Sequence, residues 1–237
     1  MVLFGASGSG KSVLLKTGIG LIQADEGHVR LFGRDITALS EEKLLSMRRC
    51  VGMLFQEGGL FDSLTVEENV AYPLEYPQRK LPEPEVRARV KQALDFVGLS
   101  EALDRLPSDL SGGMRRRIGI ARAEVTKPPL MLYDSPTAGL DPVTAYRIVA
   151  LVIQQRDTRS ATTIVVTHRY QDGRLLANYT YDPTNGKLKR TSDLSQRVKF
   201  IVLRDGRVTF EGSEAGMRAS ADPYVASFAG IKKTVSP

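Results

Sequence analysis

The chain opens Met1-Val2-Leu3-Phe4-Gly5-Ala6-Ser7-Gly8-Ser9-Gly10-Lys11-Ser12, and the reading of this stretch decides the fold. An apolar run of the kind that forms a buried strand passes directly into the pattern G-x-x-x-x-G-K-[ST], from Gly5 to Ser12. Phosphate binding explains that order. Glycines let backbone N–H groups converge on phosphate oxygens, and a helix starting near Lys11 aims the positive end of its dipole at the same point. Lys11 is then placed to contact the β- and γ-phosphates of a nucleotide, and the Ser12 hydroxyl to ligate Mg²⁺. A plain helix-capping turn would also use glycine for positive φ, but it has no need of Gly-Lys-Ser in sequence. Gly5, Ala6, Ser7, Gly8, Ser9, Gly10, Lys11, Ser12 and Val13 are the candidate phosphate-binding residues.

Only Met1 to Phe4 precede the motif, whereas a strand usually has about five or six residues. The chain is therefore expected to begin inside its first core strand, with the natural start upstream or a piece lost relative to others of its fold.

At 237 residues, 42% hydrophobic and 25% charged, the composition is that of an ordinary globular chain with one large domain or two lobes. No apolar stretch approaches the roughly 18 to 20 residues that span a bilayer, and a chain opening on a P-loop has no room for a signal peptide, so a cytoplasmic protein is expected. With Cys50 the single cysteine and His28 and His168 the two histidines, an internal disulfide and a Cys/His zinc site are excluded. Cys50 reads as a small core filler. The net charge of +6 raises nucleic acid or an anionic membrane as partners. The excess is scattered, however. Its densest patch, Arg115-Arg116-Arg117 with Arg122, reads as the solvated face of a helix and lacks the interleaved aromatics on which bases stack, so no direct nucleic-acid contact is expected.

Short β-branched runs alternate with helical stretches, which points to an α/β fold with a mostly parallel sheet. His28 to Phe32 reads as a strand ending at Gly33-Arg34-Asp35. Ser40 caps a helix opening with Glu41-Glu42, and Val51 to Phe55 is the next strand. From Ser63 to Thr126 no strand is evident. Helices start at Leu64 to Val70, at Pro82-Glu83-Pro84 running to Val97, and at Ser111, so 63–126 reads as a helical lobe inserted into a sheet core made of 1–62 and 127–237. Strands return at Leu130-Met131-Leu132-Tyr133 and Thr163-Ile164-Val165-Val166. Hairpins turn at Asn185-Gly186 and Asp205-Gly206.

Further motifs follow the P-loop in order. Gln56 ends the strand Met53-Leu54-Phe55, Leu110-Ser111-Gly112-Gly113-Met114 precedes the arginine-rich helix, Asp134 ends Leu130 to Tyr133, Gly139-Leu140-Asp141 follows, and His168 ends a strand at Thr167. Together they resemble the ATP-binding cassette (ABC) family of transporter ATPases over nearly the whole chain. The resemblance implies an α/β P-loop NTPase fold of RecA-like type, a single ATP-binding domain, and ATP with Mg²⁺ as ligands. Carried over by position, Gln56 is the Q-loop residue offering an amide to Mg²⁺ or the attacking water. Ser111, Gly112, Gly113 and Met114 form the signature that meets the γ-phosphate held by a second subunit. Asp134 supplies a carboxylate to Mg²⁺ opposite Ser12, Asp141 belongs to the D-loop, and His168 faces the γ-phosphate. A head-to-tail dimer with two composite sites follows, with permease subunits in the membrane as partners. Within the family the chain looks like the Mla-type ATPases of lipid trafficking in bacteria with two membranes. It shares with them GASGSGKS followed by Val13-Leu14-Leu15-Lys16, the segment Phe55 to Val66, the run Asn69 to Leu74, methionine in LSGGM, and the tail Ser220 to Phe228. A lipid-carrying, substrate-binding protein is a further partner implied by that likeness.

The chain departs from the family at three places. The N-terminal strands, and with them the aromatic residue that stacks on adenine, are missing. Ser135 stands where the family has a glutamate acting as general base, and loss of such a base costs ~10²–10⁴ in rate. Residues 178–199 read as an inserted hairpin turning at Asp182-Pro183-Thr184-Asn185-Gly186. Three functions therefore remain open on sequence: an ATPase driving a lipid transporter, an ATP-operated clamp that hydrolyses slowly or not at all, and a non-transport cassette protein acting on nucleic acid.

Overall fold

The computed structural model describes residues 1–76, 81–159, 161–191 and 198–230. Strand β1 (Val2–Gly5) is buried at every position and is paired on both sides. On one side it runs parallel to β6 (Thr162–Val166), with Leu3 opposite Val166, and on the other parallel to β9 (Phe200–Arg204), with Gly5 opposite Leu203. Beyond β6 lie β5 (Leu130–Asp134) and β4 (Val51–Leu54), both parallel, and beyond β9 the antiparallel β10 (Arg207–Gly212) closes the edge. The sheet thus has six strands in the order β10-β9-β1-β6-β5-β4, the largely parallel α/β architecture that the alternation of runs implies.

The period of two along these strands divides the core. Val2, Phe4, Met131, Tyr133 and Val165 point to one face with α6 (Pro142–Arg159) and α7 (Tyr170–Asn178), while Leu3, Leu130, Leu132 and Val166 point to the other with α1 (Lys11–Gly18) and α2 (Glu41–Arg48). Between β4 and β5 the described residues hold helices α3 (Val66–Glu75), α4 (Glu83–Val97) and α5 (Gly112–Glu124) and no strand. Their buried residues Val66, Val70, Val90 and Leu94 join the same core cluster as Phe4 and Tyr133, through Ile118 and Ile120 of α5.

Several local expectations are corrected. His28 to Phe32 does not form one strand. The chain reverses at Phe32-Gly33, with φ of 50° and 78°, so that β2 (Arg30–Leu31) pairs back on β3 (Arg34–Asp35) in a small separate hairpin. Two successive residues at positive φ give a turn of type I′ character, which outweighs strand propensity here. Ser40 occupies the N-cap of α2 without a side-chain capping bond. Cys50 is exposed rather than a core filler, because it lies in the turn between α2 and β4. After β10 the chain continues into two short helices, α8 (Glu214–Ala219) and α9 (Pro223–Phe228), which the strand pattern did not announce.

The turn at Asp205-Gly206 is as expected, with φ of 50° and 75°. So is a hairpin at Asn185-Gly186, made of β7 (Tyr179–Asp182) and β8 (Lys187–Arg190). Of the predicted insertion 178–199, residues 192–197 lie outside the described residues. The hairpin is fastened to the end of α6. Arg156 donates to the carbonyls of Leu176 and Tyr179, and the Asp157 carboxylate accepts from the Thr180 hydroxyl and the Tyr181 N–H.

One buried polar side chain organises the entry to the helical region. Asn69 on α3 accepts from the Phe61 N–H at 2.8 Å and donates its amide to the carbonyls of Phe61, Leu64 and Thr65, each at 3.0 Å. It replaces a ladder that this irregular segment cannot make for itself. The capping box of Thr65 and Glu68 starts the helix just before it. Removing the amide strands partly buried backbone groups. Asn69→Ala should therefore cost about 2 kcal/mol, or roughly 4–8 °C in Tm for a chain of this size, whereas Thr65→Ala should cost about 1 kcal/mol. Thermal unfolding of the two variants side by side checks the order.

Candidate nucleotide site

Parallel pairing places the loops that follow the strands along one edge of the sheet. Leu3 and Asp134 are both in register with Val166, and Leu54 is in register with Tyr133, one residue before Asp134. Gly5-Ala6, Thr167-His168, Asp134-Ser135 and Phe55-Gln56 consequently emerge from four neighbouring strands at their carboxyl ends, where open α/β sheets hold ligands.

The loop from Gly5 to Lys11 passes through positive φ at Gly8 (79°) and Gly10 (95°), and Gly10 is the N-cap of α1. The backbone N–H groups of Lys11, Ser12 and Val13 belong to the first turn, which has no intrahelical acceptor for them, so they are available to an anion. Lys11 folds back across the loop, its Nζ donating to the Ala6 carbonyl at 2.6 Å and the Ser9 hydroxyl at 3.3 Å. Partial burial holds the Lys11 ammonium below its usual pKa, while the Asp134 carboxylate acts in the opposite sense, which puts the two charges in electrostatic reach. Ser12 and Asp134 are the oxygen donors here that fit Mg²⁺, a cation that prefers such ligands and keeps several waters. Gln56 adds an exposed amide in the neighbouring loop.

Asp134 is buried, and the hydroxyl of Ser135 turns toward it at 3.3 Å. Ser135 sits at φ 52° with its N–H on the Val166 carbonyl at 3.0 Å. Further on, Asp141 caps α6, accepting from the N–H groups of Val143 and Thr144 at 3.0 Å each. Hydrogen bonds from Thr144, side chain first and then backbone, hold its carboxyl below the usual range.

The Gln56 loop and the Ser111 segment share one support. Ser111 caps α5, its hydroxyl accepting from the Met114 N–H at 3.3 Å. Gly113 has no room for a side chain, because a Cβ there would lie 2.5 Å from the Thr144 methyl of α6. Arg122 on the same helix donates to the carbonyls of Gly58 (3.2 Å) and Gly59 (2.7 Å), just after Gln56. Arg116 donates to the carbonyl of Ala138, after Asp134. Arg115 and Arg117 donate to the carbonyls of Leu110 and Val97. The expected solvated arginine face is therefore corrected. These cations satisfy carbonyls that lack a regular partner, in irregular turns and at the carboxyl end of α4, and burial lowers the pKa of Arg116, Arg117 and Arg122 from the ordinary value.

A further buried cluster escaped the sequence reading. The Asp172 carboxylate on α7 accepts from the hydroxyls of Thr137 and Thr167, with Arg169 at 3.8 Å. Thr137 follows Asp134 by three residues and Thr167 precedes His168, so this carboxylate ties the two loops together. His168 itself is exposed at the edge. The sequence offered only adjacency of Thr167 to His168. Nothing in it pairs Thr137 with Asp172.

Comparison with known proteins agrees with this geometry. The family model of ABC transporters matches residues 1–138. The chain is 34% identical over 95% of its length to the intermembrane phospholipid transport ATP-binding protein MlaF of Escherichia coli K12, covering 76% of that protein. It is 40% identical over 89% of its length to the methionine import ATP-binding protein MetN of Carboxydothermus hydrogenoformans, spanning 56% of it. A dimeric ATP-binding cassette solved in a post-hydrolysis state with ADP and Pi superposes with a TM-score of 0.73 at 30% identity, over 90% of this chain and 84% of that one. The chain belongs to the ABC transporter family of ATP-hydrolysing P-loop proteins.

Lys11→Ala removes a side-chain cation bonded within the phosphate loop. It should abolish measurable Mg·ATP binding and turnover while leaving Tm within a few degrees, because the lysine is partly exposed. Calorimetric titration and a phosphate-release assay check it, and unchanged affinity would sink the assignment of Gly5–Ser12.

Proposed function

We propose that this chain is the ATPase subunit of a bacterial transporter that moves phospholipid or a related lipid across the cell envelope. The observation that carries the cargo class is the likeness to MlaF along 95% of the chain. In this reading the loop from Gly5 to Val13 cradles the phosphates of ATP, Ser12, Asp134 and Gln56 hold Mg²⁺, and His168 meets the γ-phosphate. Ser111 to Met114 close over the nucleotide of a second copy, head to tail, with Asp141 in the loop between the two sites. The protein works in the cytoplasm on the inner face of the plasma membrane, against a permease and with a lipid-carrying protein beyond it. No helix among the described residues is long and apolar enough to cross a membrane.

The docking surface of that permease is the ridge following Gln56. Phe61 packs on Tyr72 with ring centroids 4.6 Å apart, and Tyr72 stacks on Tyr76 at 5.2 Å. Phe55, Phe61 and Tyr76 leave apolar surface exposed, of the kind that marks an interaction site. Arg122 lies 5.5 Å from the Phe61 ring and also holds Gly58 and Gly59, so a partner pressed on Phe61 acts on the Gln56 loop. Photo-crosslinkers at Leu60 or Phe61 should capture a membrane subunit in cells. In vesicles, the captured complex should hydrolyse ATP faster with phospholipid cargo than with methionine. Capture of no membrane protein defeats the docking surface, and stimulation by methionine alone defeats the lipid reading.

A second reading, a slow ATP-dependent clamp, is favoured by one observation. The Ser135 hydroxyl bonds to Asp134 and is a poor proton acceptor. A positioned carboxylate should supply part of the ~10²–10⁴ that a general base contributes. Ser135→Glu is therefore expected to raise kcat at least tenfold with KM nearly unchanged, and the gain should vanish in the double variant with His168→Ala. A wild-type rate that Ser135→Glu leaves unchanged or lowers would place the proton acceptor elsewhere.

A further inference from the structure

Helix α9 carries one side chain into the back of the phosphate loop. The Tyr224 hydroxyl accepts from the Ala6 N–H at 3.1 Å and donates its own proton to the Leu203 carbonyl at 2.9 Å. With one bond received and one given, it joins the first residue beyond β1 to the end of β9. That junction is already tight, since a Cβ on Gly5 would lie 2.7 Å from the Leu203 carbonyl. The neighbouring turn adds a second brace, the Gly206 N–H donating to the Ser9 carbonyl at 3.3 Å. The tyrosine ring is itself fixed. Arg204 lies 5.2 Å from its centroid and Phe228 meets it edge-on at 5.1 Å, with Phe228 in turn 6.1 Å from Phe4 of β1. The Asp222 carboxylate caps the helix at the Tyr224 N–H, 2.8 Å away.

We propose that Tyr224 is a positioning residue for nucleotide binding, its hydroxyl holding the first amide of the phosphate loop outward so that the later amides converge on the phosphates. An anion cradle works only if its N–H groups face one point together, and ordering a loose loop at the moment of binding costs conformational entropy. Ala6 has a standing acceptor behind the loop and Ser9 a standing donor, so the turn between them, closed by the Ser9 N–H on the Ala6 carbonyl at 3.2 Å, is fixed at both ends before any ligand arrives. Loss of the hydroxyl leaves the Ala6 N–H to compete for other acceptors, and ligand binding must then impose the order. Both bonds of the hydroxyl go to backbone groups, the Ala6 N–H and the Leu203 carbonyl, so the consequence falls on affinity for ADP and ATP alike and spares the chemical step.

The inference rests on the assignment of Gly5–Ser12 as the nucleotide site, and Tyr224→Phe in the full chain tests it with two independent readouts. Calorimetry with Mg·ADP and Mg·ATP should show both Kd values rising about fivefold to tenfold, the worth of one hydrogen bond. Steady-state KM should rise with them and kcat stay within about twofold. Hydrogen exchange at the Ala6 amide, measured without nucleotide, should quicken by a similar factor. Phe228→Leu loosens the same helix but keeps the hydroxyl, and it should leave the Kd values and the Ala6 exchange within about twofold. Unchanged affinity and exchange in Tyr224→Phe overturn the proposal, and so does an equal weakening by Phe228→Leu, which would reduce the effect to helix packing. If the unmodified chain binds neither nucleotide while Ala6 exchange still depends on Tyr224, the nucleotide site falls and takes the positioning role with it, leaving only the hydrogen bond.

Discussion

Parallel hydrogen bonding in the central sheet is the constraint on which the rest depends. Once β1, β6, β5 and β4 lie side by side in one direction and in register, the residue after each strand has no freedom to be anywhere but the same edge. The phosphate loop, the Asp134 carboxylate, His168 and Gln56 reach that edge because of backbone pairing, before any side chain interacts with another. This also explains why the strands themselves are so uniformly apolar. Both faces are covered, by α6 and α7 on one side and α1 and α2 on the other, so a polar group inside β1 or β5 needs a partner within the protein, as the Tyr133 hydroxyl of β5 finds in the Gln155 side chain of α6.

Loops placed by the sheet still have to be shaped, and here the structure relies on charged and polar side chains bonded to backbone. Arg122 and Arg116 reach from one helix to carbonyls after Gln56 and after Asp134. Asp172 collects hydroxyls from two loops, and Asn69 spends its whole amide on one irregular turn. For the arginines and Asn69 an irregular segment exposes backbone donors or acceptors that regular structure would have paired, and a single side chain supplies the missing partners, whereas Asp172 joins two loops through their threonine hydroxyls. The arginine-rich helix is therefore basic for internal reasons, and the surplus of positive charge on the chain says less about external anions than its net value suggests.

What the sequence made legible was short in range. An apolar run followed by glycines and Gly-Lys-Ser, an Asp-Gly turn between alternating runs, a Pro82-Glu83-Pro84 helix start and a serine before Gly-Gly each carry their meaning within a few residues, and the structure places strands, turns and helices there. Phe32-Gly33 misled because a phenylalanine at positive φ is a conformation the residue type does not advertise. The partners of Arg116, Arg122, Asp172 and Tyr224 were invisible for a different reason. The deciding bonds, Arg116 to Ala138, Arg122 to Gly58 and Gly59, Asp172 to Thr137 and Tyr224 to Ala6, join residues far apart in the chain, and no local pattern encodes which groups the folded chain will leave unpaired. The likeness to a family supplied residue roles by position, but it could not show that Asp141 caps a helix or that the Ser135 hydroxyl turns to Asp134.

Cys50 lies immediately before β4, at the amino end of a strand whose carboxyl end leads to Gln56. Strand rise alone sets the thiol roughly 13 Å or more from that edge. These 237 residues carry one thiol, exposed and remote from the phosphate loop, which accepts a single spectroscopic label. In an assembly of two identical chains the label becomes a matched pair, so that a dipolar or resonance-transfer distance between the two follows the approach of the subunits while every group at the nucleotide edge keeps its native chemistry.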